Sequence, residues 1–239
     1  MISVHVCGDF GRQCFTLAAA RILATLQCSD LNEPPCLPFT TCARGMGSWM
    51  APALGVRGDQ PTLPPYMVPA SPNFMTQSVN GFCKLTIFNG LRNADFYLPH
   101  RRMLRDCLVD YFKIAHPCSA DDVFLVDSAL QASSSPSRLD FALREFPVLS
   151  PTALLNHCRA VGMAQQRTTL VLKPGCAAFA SHYSKHFGKV IVAGPLEQLH
   201  IALHARKLAA FLNSEHWWAC FLTNAEETHV FYDPRFRGG

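Results

Sequence analysis

The chain has 239 residues, an apolar fraction of 49% and a charged fraction of 16%. This balance excludes a solvated disordered chain and allows a sizeable core, in one large or two small domains. The net charge is +4 and no basic run exceeds Arg101-Arg102, so neither a nucleic-acid footprint nor a nucleic-acid partner is expected. No stretch approaches the roughly 20 apolar residues of a membrane span. The opening residues carry no basic segment followed by an apolar core, so a soluble protein of the cytoplasm, with no membrane partner, is expected.

The 11 cysteines are odd in number and contain no CxxC pair, which fits reduced thiols acting as small buried hydrophobes. Cys14 to Cys28 has apolar residues at helical spacing and one arginine, Arg21, and reads as a largely buried helix. Residues 29–81 hold nine of the seventeen prolines, so an irregular, packed excursion is expected there. A short strand follows at Lys84 to Phe88, then helices at about 98–115, 120–132, 137–146 and 151–162.

Beyond Gln166 the pattern turns to β-rich runs, Thr168 to Leu172 and Lys189 to Val192, and a helix at about 196–212. The last two apolar runs, His216 to Thr223 and His229 to Tyr232, are separated by a polar stretch and read as a hairpin. Helices first and an antiparallel sheet last is an α+β order. One domain over 1–239 is expected, with a helical subdomain at about 1–163 and a β-rich one at about 164–239.

A thiol near a helix N-terminus is activated by the unpaired N–H groups and the peptide dipoles. Cys14 is predicted to sit there, after a turn containing Gly8, Asp9 and Gly11. An imidazole must take its proton and a third polar group must orient that ring. In a hairpin, His216 on one strand and Asp233 at the end of the next become cross-strand neighbours, about 5 Å apart at Cβ.

The stretch Asp9-Phe10-Gly11-Arg12-Gln13-Cys14-Phe15 resembles the cysteine box of ubiquitin-specific proteases. His216-Trp217-Trp218-Ala219-Cys220 with Val230-Phe231-Tyr232-Asp233 is similar to their histidine box, and equally to the leader proteases of foot-and-mouth disease type. The resemblance implies a papain-like α+β fold and a Cys14–His216–Asp233 triad with no cofactor. Asp9 or Gln13 would flank the oxyanion site, where these families place an amide rather than an aspartate.

The closing Arg237-Gly238-Gly239 resembles the tail of ubiquitin. On this likeness the substrate is a polypeptide with Gly-Gly before the scissile bond: a viral polyprotein cut after Gly239, ubiquitin or a ubiquitin-like protein. Trp217 or Trp218 would roof the channel over the glycines. Two alternatives are a catalytically silent interaction module on the same fold and a metalloprotein. The latter would use His182 with His186, or His200 with His204, whose i, i+4 spacing places two rings on one helix face.

Overall fold

A computed structural model of the chain describes residues 2–6, 10–27, 37–41, 56–57, 67–68, 85–87, 94–112, 121–126 and 149–232. The chain divides into two compact units, Met1–His116 and Pro117–Gly239.

In the first unit, β1 (Ile2–Val6) leads into α1 (Phe10–Gln27), followed by β2 (Leu37–Thr41), β3 (Val56–Arg57), β4 (Met67–Val68) and β5 (Leu85–Ile87). The five strands lie in the order β3-β2-β1-β5-β4, and every pairing is parallel. Two helices follow, α2 (Ala94–Tyr97) and α3 (Arg101–Phe112). Leu17, Ala18, Ala19 and Ile22 of α1 are buried, as the Ala/Leu-rich spacing predicts. The aromatic ring of Phe15 meets that of Tyr97, whose hydroxyl donates to the Phe15 carbonyl at 3.1 Å.

The second unit alternates strand and helix. Its elements are β6 (Asp122–Leu125), α4 (Pro151–Ala160), β7 (Thr168–Leu172), α5 (Ala180–Tyr183), β8 (Lys189–Val192), α6 (Pro195–Leu203), β9 (Lys207–Phe211), α7 (Ser214–Leu222) and β10 (Glu227–Phe231). The sheet order is β10-β9-β6-β7-β8, again wholly parallel. Parallel sheets bury both faces, which explains why β6 and β7 are apolar without a solvent-facing alternation.

Side chains on a strand alternate between the two faces of the sheet. Phe124, Leu170, Leu172 and Phe211 share a core with Leu154 of α4 and Tyr183 of α5. The alternate residues Val123, Leu125, Val171, Leu208 and Ala210 are just as buried. Helices α6 and α7 pack against β6 and β9. The Thr223 hydroxyl ties the end of α7 to the Ala202 carbonyl of α6 at 2.7 Å.

The all-parallel α/β architecture overturns the papain-like α+β expectation. There is no antiparallel pairing among the described strands, and the segment read as a β-rich subdomain is a series of βα crossovers. Three local readings change with it. Part of the region read as a helix at about 120–132 is the strand β6, whose four-residue apolar run has no helical period of its own. The helix read at about 196–212 stops at Leu203, and its Ala-rich remainder, Lys207-Leu208-Ala209-Ala210-Phe211, is the inner strand β9. The proposed hairpin does not form: His216 lies in a helix, and β10 runs parallel to β9. The helix read at 137–146 lies outside the described residues.

Candidate functional site

In a doubly wound parallel sheet, the crevice outside the carboxyl ends of the strands opens where the strand order reverses. In the second unit the chain steps outward one way from β6 to β7 and β8, and the other way from β9 to β10, so the reversal lies between β6 and β9. Among the described residues, three short segments reach that edge: Val126 after β6, Lys173 after β7, and Leu212 to Glu215, which runs from the end of β9 into the first turn of α7.

The β9–α7 turn is held by side chains from its own first residues. Asn213 caps α7, its Oδ1 accepting from the His216 backbone N–H at 2.7 Å. The His216 ring is buried, and its Nδ1 lies 2.9 Å from the Phe211 carbonyl. A carbonyl only accepts, so in this contact Nδ1 carries the hydrogen, and the Asn213 Nδ2 lies 3.3 Å from the same nitrogen. His216 therefore binds the end of β9 to the first turn of α7.

Across the edge, the Lys173 ammonium meets the Glu215 carboxylate at 2.5 Å, and the two side chains are only 8% and 15% exposed. Because β6 lies between β7 and β9, this pair bridges the carboxyl end of the central strand. Lys173 is fixed from below by its neighbours: its carbonyl accepts from the Cys176 N–H at 2.8 Å, and Pro174 opens the 3-10 turn that follows.

The opposite end of the sheet is closed differently. Arg206 donates to Asp122, which is 1% exposed, and to Glu226 at 3.3 Å. Backbone bonds join the same segments, from the Arg206 N–H to the Asp121 carbonyl and from the Glu226 N–H to the Arg206 carbonyl. Lys207 meets Glu227 at 2.8 Å, and Glu227 also pairs with His229. The hydrogen bond from Lys207 is the largest cause holding the Glu227 carboxyl below its usual range.

The residues singled out from the sequence fall as follows. Cys14 is the fifth residue of α1, fully buried in the first unit, and Gln13 beside it is buried as well. Burial, and then the neighbouring Cys14, push the Tyr97 hydroxyl upward. His216, Trp217 and Trp218 belong to the second unit, on α7. Trp218 is fully buried, while Trp217 stacks on Phe221 at 4.7 Å between ring centres. Asp9, Asp233, Gly238 and Gly239 lie outside the described residues.

The His182 and His186 rings stand 6.5 Å apart, and those of His200 and His204 5.2 Å apart. No group of three or more metal-ligating side chains forms among the described residues. Cys158 and Cys220 are free thiols. Burial pushes Cys158 up to about 11 and Cys220 up to about 12, which keeps both protonated and unreactive at neutral pH. No described helix is long and apolar enough to cross a membrane.

Lys173 and Glu215 are absent from the sequence-based candidates. Their pairing spans over forty residues and depends on a parallel register that a hairpin reading conceals. The signal that was present is the run Asn213-Ser214-Glu215, a helix start with its cap and an acidic first turn.

No family model matches the chain. A search of curated proteins finds no match either.

Proposed function

We propose that the chain is a nucleotide-binding α/β protein whose ligand lies against the carboxyl ends of β6, β7 and β9 in the second unit. The observation that carries this reading is the strand reversal between β6 and β9, with α7 opening directly from β9 beside it. Doubly wound sheets receive nucleotides at that point, and the peptide dipoles of a helix start favour phosphate. Lys173 adds a cation at the same edge. The sequence after β6, Val126-Asp127-Ser128-Ala129-Leu130, contains no glycine, so the glycine-rich pyrophosphate turn of dinucleotide enzymes is not encoded there. A mononucleotide fits the edge better than a dinucleotide.

Thermal unfolding of the full chain with ADP, GDP, UDP and CDP tests this. At a hundredfold excess over Kd, one of them should raise the midpoint by about 5 °C. Asn213→Ala, which loosens the β9–α7 turn, should reduce that shift. A midpoint unmoved by all four nucleotides would contradict the proposal.

The thiol-protease reading is a second proposal, supported by the order Cys14, His216, Asp233 and by the contact of His216 Nδ1 with the Phe211 carbonyl, which would orient the ring of a general base. It requires the Cys14 sulfur to meet that nitrogen, with cleavage after Gly-Gly in a polyprotein or a ubiquitin-like tail. Labelling by an active-site-directed thiol probe should vanish in Cys14→Ala. Equal labelling of the variant would exclude Cys14 as the nucleophile.

A further inference from the structure

We propose that Lys173 determines how the carboxyl-edge site ranks nucleotides by phosphate number, and that Glu215 is the positioning residue that holds its ammonium over β6. The proposal rests on the nucleotide-binding reading of that edge.

A buried ion pair is a poor stabiliser, because desolvation of both charges offsets their attraction, and an apolar pair of similar volume would serve as well. The pair at the opposite end of the sheet is woven into further bonds to Glu226 and to the backbone. Lys173 and Glu215 instead meet directly at the edge where the strand order reverses.

The choice of lysine matters. A lysine ammonium is a compact charge with three rotatable donors, so it can bind a second anion without releasing the first. Ion-paired with Glu215, Lys173 still has N–H donors to offer a phosphate oxygen at the start of α7. The flanking structure limits where it can go: Pro174 and the bond from Cys176 N–H fix its backbone, and Glu215 fixes its tip. A monophosphate set deeper at the helix start would leave this ammonium unused, whereas the second phosphate of a diphosphate would reach it.

The test compares AMP and ADP binding to the full chain by calorimetry, at two salt concentrations, or the corresponding mono- and diphosphates if another base binds better. The wild type should prefer the diphosphate by about tenfold, the scale of one charge-assisted hydrogen bond. The double variant Lys173→Met with Glu215→Gln removes both charges and leaves neither one buried alone, so it should fold. In it the preference should fall to about one. Lys173→Arg should retain the preference.

Glu215→Gln alone should lower the ratio part of the way, since the ammonium remains but is no longer held. A double variant that keeps the wild-type ratio would overturn the role of Lys173. A single Glu215→Gln variant with the wild-type ratio would overturn that of Glu215. A wild type that binds both nucleotides without preference contradicts this inference alone. One that binds no mono- or diphosphate contradicts the nucleotide reading beneath it.

Discussion

The two ends of the second sheet are closed by ion pairs of different construction, and the contrast separates holding a fold from meeting a ligand. At the amino end, Arg206 joins Asp122 and Glu226 while the backbones of the same segments bond to one another. The planar guanidinium suits that multivalent role. At the carboxyl end a single lysine meets a single glutamate where the strand order reverses. The first arrangement fastens β6, β9 and β10 together. The second places a paired charge beside the start of a helix.

The sharpest way to break this comparison is to remove one member of each pair. Asp122→Ala leaves Arg206 partly buried beside an emptied site and should cost about 3 kcal/mol in urea unfolding, with nucleotide selectivity unchanged. A smaller loss, about 1 kcal/mol, is expected for Asn213→Ala, which removes the α7 cap but no charge. The neutral double variant at Lys173 and Glu215 should change stability by less than about 1 kcal/mol, because matched removal of a buried pair is nearly neutral. A large loss there would make the carboxyl pair structural, like its counterpart.

The smallest effect at neutral pH lies behind the amino end. Burial first, and then the nearby Asp122, push the Cys158 thiol up to about 11 from an ordinary value of 9.0. The folded thiol keeps its proton at a pH where the unfolded thiol loses it. Its contribution is therefore complete below pH 9 and is lost as pH rises toward 11. Unfolding measured from pH 8 to 10.5 should show this decline, and Cys158→Val should flatten it.

How much of this was legible depended on the element. The buried helix α1, the helix at Pro151–Ala160 and the strands Thr168–Leu172 and Lys189–Val192 follow from periodicity and flanking turns. The misread elements are the ones that specify a parallel sheet. Asp122-Val123-Phe124-Leu125 is too short for its period to show, and Leu208-Ala209-Ala210 has helical propensity that burial between two strands overrides. In α7 the aromatic run Trp217-Trp218 outweighed the cap at Asn213, and this one choice turned a βαβ crossover into a hairpin.

The site reading depended on the same choice. With α7 read as a strand, His216 faced Asp233 and pointed to proton transfer. As the third residue of a capped helix, it binds Phe211 and shapes the turn beside Lys173. The buried thiol Cys14 was legible as a helical core residue. Its catalytic reading came from its predicted place at a helix N-terminus and from the likeness to a cysteine box; in the structure it is the fifth residue of α1 and fully buried.

The central claim is that the carboxyl edge of the second sheet is where this chain binds its ligand. Hydrogen exchange of the full chain, with and without saturating nucleoside diphosphate, tests it most directly. The amides of Lys173, Cys176 and Ser214 to His216 should gain protection, while those of Arg206 and Glu226 at the amino end stay unchanged. Protection confined to the amino end, or none at either end, would contradict the account.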